Sequence, residues 1–384
     1  MIVGFLCGEY PPCNNGGIGT FTKLIAEGLV KKGHKVIVFG MYRPSIMNVL
    51  SQDLSVIDGV KVIRWPFINK TRFHYLNEFL SRVVLKYRIE KLIRSEGIDI
   101  IEAYDSEGLL PFGSSVQLIT RLHGSIKYFG NELNRPYSRY ISFFEKMQLR
   151  KSDLLIGVSK YVNIKTLEYF SIKKPSIVIY NAVRLRDISI AFESSQRPKE
   201  ILYFGSIIPK KGVEELVLAF NSISNEGNNI SLKLIGKSNA EKNGMCYTDY
   251  LLSLLSEVNK GRLQILSHLQ SEDLKNEIQN SYCCVFPSFV ECFAIAPMEA
   301  MALGRPVIYS TLHSGPELIE DGVDGILVDP NNIVVLAEKI MYLISNPQIA
   351  EDMGVNGRRK IEEKFNFDSW IKLNIEMYMS LKKS

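Results

Sequence analysis

Short apolar runs alternate with amphipathic stretches along the whole chain. Apolar runs predict strands at 2–7, 36–40, 99–104, 116–122 and 154–158, and the pattern restarts at 201–204, 232–235, 263–266 and 283–286. Helices are predicted between them, among others over 19–32, 213–224 and 249–257 and after Ser271. Strands that alternate with helices favour parallel sheets with helices on both faces, so two doubly wound α/β domains are predicted.

The length of the chain and the position of its polar segments predict where these domains end. A chain of 384 residues exceeds what one hydrophobic core usually supports. The segments 180–183 and 194–199 show no periodicity, which indicates a junction. We therefore expect an N-terminal domain at 1–182 and a C-terminal domain at 183–365, followed by a terminal amphipathic helix within 366–384.

Charge is distributed unevenly between the two halves. Residues 1–182 carry 25 Lys and Arg against 15 Asp and Glu, whereas residues 183–384 carry 21 against 26. Two helical stretches, 71–94 and 127–151, mix basic with aromatic residues. Such faces commonly pack on a core, but they also suit an anionic membrane surface, with the Arg and Lys residues of 82–94 as the expected contacts.

Composition excludes several other classes of protein. The six cysteines form no CxxC pair, which argues against a zinc site and a disulfide scaffold and favours a reducing compartment. No apolar run approaches the length of a membrane span, and the first apolar run lacks a basic leader. The expected location is the cytoplasm, with peripheral contact to the inner face of the membrane as an open alternative.

The segment 286–308 carries the most specific candidate chemistry. It places Glu291 and Glu299 eight residues apart where a predicted strand hands over to a helix whose first turn is expected to contain Pro297. An acidic residue in a first turn commonly complements the helix dipole, yet a carboxylate there can also accept two hydrogen bonds from a ribose.

This string resembles the Glu-x7-Glu signature of the family-four retaining glycosyltransferases of group 1, which have the GT-B fold of two Rossmann-like domains facing a central cleft. The resemblance implies that Glu291 contacts the donor sugar and Glu299 the ribose, with Phe293, Ala294 and Ile295 at the donor. Ala294 stands where the family often has Gly but keeps the backbone N–H. The resemblance also implies that the terminal helix crosses back to the N-terminal domain.

Two motifs of the first half fit the same resemblance. The loop 14–20, with Gly16 and Gly17, opens a helix, where backbone N–H groups can approach an anion. Thr22 occupies the place of the third glycine of a dinucleotide fingerprint, which weakens a dehydrogenase interpretation. His123, in a His-Gly pair after a predicted strand, is by itself more often structural; the resemblance places it beside the transferred sugar. The resemblance thus implies Gly16, Gly17 and His123 as acceptor contacts, and it also places Gly17 near the donor diphosphate.

The segment 205–212 resembles the Gly-Arg-Leu-x-x-x-Lys-Gly motif of the family, whose Arg and Lys neutralise the diphosphate. Lys211 fits the Lys position after Gly205, but Ser206 replaces the Arg and offers at best one hydrogen bond. Lys210 is a candidate to compensate. Gly236 and Ser267 follow predicted strands and resemble positions beside the nucleobase.

The sequence therefore predicts a retaining transferase of a hexose-type sugar, with His123, Lys211 and Glu291 in catalytic roles. The expected partners are a UDP- or GDP-linked sugar as co-substrate, a glycan or lipid-linked acceptor and an anionic membrane, and nucleic acid is not expected. No Asp-x-Asp motif suggests a metal, and no other cofactor is expected. A sugar-nucleotide epimerase and a non-catalytic binding subunit remain alternatives, and a glycosidase is less favoured because hydrolysis needs no phosphate-binding loop.

Overall fold

The computed structural model describes residues 1–12, 16–42, 54–68, 72–185, 198–224 and 229–382. Residues 14 and 15 of the glycine loop, residue 71 and most of the expected junction at 194–199 lie outside these ranges. The chain forms two compact units, of which the first contains Met1–Tyr180 and Asp368–Ser384 and the second Asn181–Phe367. The chain therefore leaves the first unit after Tyr180 and returns to it at Asp368.

The first unit is built on an eight-stranded sheet with the order β3-β4-β2-β1-β5-β6-β7-β8. Its strands are β1 (Ile2–Leu6), β2 (Lys35–Tyr42), β3 (Leu54–Ile57), β4 (Val60–Pro66), β5 (Ile100–Tyr104), β6 (Gln117–Leu122), β7 (Leu154–Gly157) and β8 (Ser176–Val178). All neighbours pair in parallel except β3 and β4, which pair antiparallel. Parallel pairing aligns the carboxyl ends of most strands on one edge.

Within 1–180, the described residues form the helices α1 (Gly17–Lys31), α2 (His74–Glu96), α3 (Ile126–Glu132), α4 (Arg139–Lys151) and α5 (Lys160–Phe170). Helix α2 packs Leu85, Ile89 and Leu92 into a core shared with β1, β2 and β5. This helix ends at Gly97, whose φ of 68° is the left-handed conformation that terminates helices without a Cβ penalty.

The second unit is built on a six-stranded parallel sheet with the order β13-β10-β9-β14-β15-β16. Its strands are β9 (Lys199–Phe204), β10 (Ile230–Ile235), β13 (Leu263–Leu266), β14 (Cys283–Phe286), β15 (Val307–Ser310) and β16 (Ile326–Val328), and β11 (Glu241–Lys242) and β12 (Met245–Cys246) form a separate hairpin. Strand β14 is buried along its whole length, as expected for a central strand covered on both faces.

The helices of the second unit surround this sheet. They are α6 (Val213–Ser224), α7 (Tyr247–Ser253), α8 (Glu257–Lys260), α9 (Ser271–Asn280), α10 (Ile295–Ala302), α11 (Gly315–Leu318), α12 (Ile333–Ser345) and α13 (Pro347–Lys364), and a 3-10 turn spans Pro209–Lys211. The described helices contain none that combines the length and the apolar character needed to cross a bilayer.

The terminal helix α14 (Phe367–Lys382) completes the first unit. Its Asn374 Oδ1 accepts a hydrogen bond of 2.7 Å from Arg121 Nη2, and its Tyr378 hydroxyl donates one of 2.6 Å to Glu102 Oε2. Arg121 Nε also pairs with Glu102 Oε1 at 2.7 Å, and neither charged side chain is exposed. Such a buried ion pair needs further hydrogen bonds to be tolerated, and α14 supplies two of them.

The structure corrects several local predictions. The stretch 127–151 forms two helices, separated at 133–138, because Pro136 cannot continue a helix. The helix expected over 249–257 is likewise two short helices, and the antiparallel edge formed by β3 and β4 was not predicted. Arg82, expected at a membrane surface, is buried and donates to the carbonyls of Glu107 and Gly108.

Candidate functional site

Each sheet has one point at which the connections reverse direction. In the second unit, β9 lies between β10 and β14, so the chain leaves β9 towards one side and later continues from β14 towards the other. Ligands of doubly wound sheets bind outside the carboxyl ends of the strands at such a point. The loops after β9 and β14 are therefore where a ligand is expected, and they contain the segments 205–212 and 287–294.

Lys211 and Glu291 meet at this point of the second unit. The Lys211 ammonium forms an ion pair with Glu291 Oε1, and the Ser288 hydroxyl donates to the same oxygen at 3.2 Å. The two charged side chains are 22% and 16% exposed, so both remain accessible from solvent. Two residues that lie 80 positions apart in the sequence thus form a polar cluster. Its ammonium group can bind a phosphate, and its carboxylate can accept hydrogen bonds from hydroxyl groups.

Backbone contacts hold the two loops together. Gly212 has a φ of 69°, and a Cβ on it would lie 1.8 Å from the carbonyl oxygen of Pro287. The N–H of Phe289 donates to the carbonyl of Lys210 at 2.9 Å. Because only glycine permits this approach, Gly212 fixes Lys211 beside the loop that carries Glu291.

The loops after β9, β10 and β13 follow one another along the same edge. A Cβ on Gly236 would lie 1.7 Å from the carbonyl oxygen of Gly205, so the two glycines bring the backbones into contact. Ser206 is exposed, and its carbonyl accepts a hydrogen bond of 2.7 Å from the Tyr203 hydroxyl. Ser267 is exposed directly after β13, at the outer strand of the sheet.

Helix α10 contains Pro297 in its first turn, as its sequence predicts. Ala294 is the N-cap in an extended conformation, Ile295 is the first helical residue, and Pro297 is the third. Glu299 is the fifth residue and is partly exposed, so it lies near the helix N-terminus as predicted, but just beyond the first turn. Phe293 is buried, and its carbonyl accepts a hydrogen bond of 2.8 Å from Asn181 Nδ2.

In the first unit the corresponding reversal lies between β1 and β5, and the glycine loop follows β1. Gly16 is the exposed N-cap of α1, and a Cβ on Gly17 would meet nothing within 4 Å. The N–H groups of Gly19 and Gly16 bond to the carboxylate of Glu9, whose pKa burial nevertheless raises. These N–H groups at the helix start are therefore already bonded to a carboxyl group of the chain itself.

His123 lies at the end of β6 in an aromatic setting. Its ring centroid is 4.6 Å from that of Phe21 and 5.2 Å from that of Tyr104. Burial, followed by the positive charge of Arg121, lowers the pKa of His123 to about 3. The imidazole is therefore neutral at physiological pH, a state suited to hydrogen bonding with a sugar and unsuited to carrying a positive charge.

Two buried carboxylates support the His123 loop, and sequence reasoning missed both. Asp105 accepts the N–H of His123 at 2.8 Å and that of Gly124 at 3.2 Å. Burial raises the pKa of Asp105 to about 8, while these N–H groups lower it. Glu145 accepts the N–H of Ile126 at 2.8 Å, and burial raises its pKa to about 7. An acidic residue directly after the apolar strand β5 was the available signal for Asp105.

The predicted residues thus fall into two groups. Lys211, Glu291, Gly205, Ser206, Gly236, Ser267, Phe293, Ala294, Ile295 and Glu299 belong to the second unit, whereas Gly16, Gly17 and His123 belong to the first. Within the second unit the structure joins Lys211 to Glu291 directly. Outside these groups, Gly315 permits a close backbone approach, since a Cβ on it would lie 1.9 Å from the Ser310 carbonyl oxygen.

Comparison with known families agrees with the division into two halves. The model described as glycosyl transferases group 1 matches residues 186–360, and the model described as glycosyltransferase family 4 matches residues 15–187. The two models are adjacent and together span most of the chain. The protein belongs to these group 1 glycosyltransferases of the family-four type, and its two Rossmann-like units are those of the GT-B fold.

Individual relatives are distant but match along the whole length. An uncharacterised glycosyltransferase of Methanocaldococcus jannaschii is 27% identical over 98% of this chain and 98% of its own. Sucrose-phosphate synthase from Thermosynechococcus elongatus superposes with a TM-score of 0.83 at 20% identity, covering 99% of this chain and 98% of that chain. Anabaena HepE in complex with UDP-glucose gives a TM-score of 0.78 at 18% identity, covering 99% and 100%. The fold class predicted from the sequence is confirmed.

Proposed function

We propose that this glycosyltransferase transfers a hexose-type sugar from a nucleoside diphosphate sugar to a glycan or lipid-linked acceptor, with retention at the anomeric carbon. The observation that carries the proposal is the Lys211–Glu291 pair beyond β9 and β14. A lysine ammonium can neutralise charge that develops on a departing diphosphate, and a carboxylate can bind sugar hydroxyls.

Each predicted residue has a role in this proposal. Lys211 stabilises the leaving diphosphate, Glu291 binds hydroxyls of the donor sugar, and Glu299 binds the ribose. The backbone around Gly205, Ser206, Gly236, Ser267, Phe293, Ala294 and Ile295 contacts the rest of the donor. In the first unit, neutral His123 positions the transferred sugar, and Gly16 and Gly17 contact the acceptor.

In this proposal Lys211, helix N-termini and backbone N–H groups carry the leaving-group charge without a metal ion. Transfer should therefore persist after dialysis against EDTA. Activity that EDTA abolishes and Mg²⁺ restores would contradict metal-independent transfer while leaving the donor assignment open to a separate binding measurement.

The decisive experiment is a panel of UDP-, GDP-, dTDP- and ADP-linked sugars tested by thermal stabilisation. A donor that binds the native state raises the melting temperature, by an amount set by its concentration relative to its dissociation constant. The UDP-glucose complex of Anabaena HepE makes the UDP-linked sugars the first candidates. No stabilisation by any member of the panel would refute nucleotide-sugar binding.

Turnover with the stabilising donor then separates the alternatives. NMR of the product should show the anomeric configuration of the donor, because transfer is proposed to be retaining. Tight donor binding without transfer to any glycan or lipid-linked acceptor would favour a non-catalytic binding subunit. The motivation for this alternative is Ser206, which replaces the Arg that the family uses to neutralise the diphosphate. Conversion of the sugar nucleotide without an acceptor would favour an epimerase.

The acceptor is proposed to belong to cell-surface polysaccharide synthesis at the inner face of a membrane. The excess of Lys and Arg in residues 1–182 suits an anionic or lipid-diphosphate acceptor. Transfer to a lipid-linked diphosphate glycan should fall as salt is raised, because screening weakens such attraction. An acceptor preference that is insensitive to both charge and salt would contradict this part.

A further inference from the structure

Helix α2 carries apolar side chains on two opposite faces. Its inner face packs Leu85, Ile89 and Leu92 into the core. Its outer face exposes a second apolar set at helical spacing, namely Leu76, Phe79, Val83 and Tyr87, preceded by Phe73 and Tyr75. Contiguous exposed apolar side chains commonly mark a surface that contacts a partner or a membrane, so this outer face calls for a covering surface.

Neighbouring rings extend this outer face beyond the helix. The rings of Tyr75 and Tyr140 lie 4.7 Å apart, and those of Tyr140 and Phe144 lie 5.0 Å apart. Phe79 lies 6.4 Å from Phe144 and 6.3 Å from Phe112. Phe143 of α4 adjoins Phe144 and is itself 59% exposed. The aromatic side chains of α2, α4 and the segment after β5 therefore form one continuous patch.

The charged residues around these rings are predominantly basic. Exposed Arg72 stacks on Phe73, and exposed Arg139 begins α4 beside Tyr140. The described part of α4 contains a single acid, Glu145, which is buried, whereas Arg139, Lys146, Arg150 and Lys151 are basic. On α2, Glu78 is paired with Arg82 at 2.7 Å, and Lys86 with Glu90. Glu107, whose carbonyl accepts from Arg82, adds one exposed acid, and the basic residues described here outnumber it.

We propose that this aromatic-basic surface, formed by residues 72–79, 83, 87, 112, 139, 140 and 143, docks on a lipid bilayer that carries anionic headgroups. Aromatic rings with an apolar body and a polar edge favour the headgroup level of a bilayer, and arginines there contact lipid phosphates. This surface would make the membrane contact that the proposed function includes. Its biological role rests on the proposed function, but its binding to lipid can be measured independently.

Two of the basic residues of 82–94 are engaged within the fold and are not part of this surface. Arg82 is buried, and Lys86 donates to the Gly113 carbonyl at 2.8 Å, so both serve the fold. A second copy of the chain is a poorer occupant than a bilayer, because isologous pairing would bring like-charged rims together.

The test is flotation of the full chain with vesicles of phosphatidylcholine, with or without about one third phosphatidylglycerol. Wild type should bind the anionic vesicles and bind the neutral ones much more weakly. Tyr75→Ser/Phe143→Ser removes two rings, and Arg72→Glu/Arg139→Glu reverses two charges. Each double variant should lower partition by about tenfold or more, because rings at the headgroup level and basic residues near an anionic surface both contribute to binding. Tyr342→Ser and Lys364→Glu, both in the second unit, are the matched controls.

Several results would overturn the proposal. These are wild type that floats with neither vesicle, ring or charge variants that float like the controls, and controls that lose binding equally. Light scattering that shows a dimer which the ring variant dissociates, without vesicle binding, would assign the surface to a second copy instead. Donor-induced thermal stabilisation, measured in parallel, keeps failure of this surface distinct from failure of the proposed function, and it also reports that the variants are folded.

Discussion

The single ion pair between Lys211 and Glu291 determines what the second unit can bind. It places opposite charges at the reversal point of the sheet, held there by the close approach of Gly212 to Pro287. In the structure the lysine is satisfied by the carboxylate. A diphosphate must therefore compete with Glu291 for the ammonium, or share it.

Replacing Lys211 by Ala should lower the rate of transfer by about 100- to 1,000-fold, the usual effect of removing one donor that stabilises transition-state charge. The melting temperature of the donor-free protein should change little, since the ion pair is partly exposed. Steady-state kinetics with the stabilising donor measure the effect. Lys199→Ala, at the opposite end of β9, is the charge-matched control, and an equal loss in that variant would discount Lys211.

Asp105 gives a prediction that depends on pH. Because burial raises its pKa to about 8 from an unfolded value near 4, the folded state binds the extra proton between these values. Stability is then fully present below pH 4 and declines as pH rises towards 8, by at most about 1.4 kcal/mol per pH unit. Asp105→Asn removes this titration, so the variant should gain stability relative to wild type as pH rises from 5 to 8.

Urea unfolding at several pH values measures that difference. The amide oxygen can still accept the N–H of His123, but the NH₂ group cannot accept that of Gly124, so transfer by Asp105→Asn should be slower as well. Asp153→Asn, at the amino end of β7, is a control that keeps the His123 loop intact. A constant stability difference across this pH range would contradict the raised pKa.

At the scale of elements, helix α14 shows how one terminal helix satisfies a buried charge pair. Tyr378 donates at 2.6 Å to Glu102, which also binds Arg121. Tyr378→Phe retains the ring but removes the hydrogen bond to a charged, buried acceptor, and should cost about 1.5 to 3 kcal/mol of unfolding free energy. Denaturant unfolding tests this against Tyr342→Phe on the exposed face of α12, and a cost no larger than that of the control would contradict a role of α14 in stabilising the pair.

Elements with a strong local signal were predictable from the sequence. The bounds of α6, β13 and β14 agree with those predicted from the apolar pattern. Each of these elements buries apolar side chains against the sheet or the helices, and that burial produces the periodic pattern in the sequence. The break between α3 and α4 required weighing Pro136 against a continuous amphipathic signal. Strand β3 is short and sits at an edge, where the alternation of exposed and half-buried residues is too brief to distinguish from a loop.

Only those site residues that lie in recognisable sequence motifs could be predicted. Lys211 and Glu291 could be named because each lies in a recognisable string, and that they form a pair follows from the order of β9 and β14 in the sheet. Asp105 and Glu145 lie 18 and 22 residues from His123, and their contacts depend on how β5, β6 and α4 pack. The position of Asp105 directly after β5 marks it as a candidate, but the contacts of both carboxylates are tertiary and cannot be read from a local pattern.

At the scale of the whole molecule, the first unit is discontinuous in sequence. A chain that ends at Phe367 lacks the segment that bonds to Arg121 and Glu102 and covers Phe21 through Trp370. We expect limited proteolysis of this truncated chain to cleave within 1–180 while residues 181–367 stay protected, since the second unit keeps all of its segments. Equal protection of both regions, read by mass spectrometry, would contradict a structural role for α14.

The same discontinuity has a consequence for synthesis on the ribosome. The first unit is the first to be translated, yet the helix that closes it is made last, after all of the second unit. At 5–20 residues per second, the 188 residues from Tyr180 to Asp368 take roughly 10–40 s. Throughout that interval Arg121 and Glu102 lack their hydrogen-bond partners Asn374 and Tyr378. The first unit can therefore complete its fold only after the second unit has been translated.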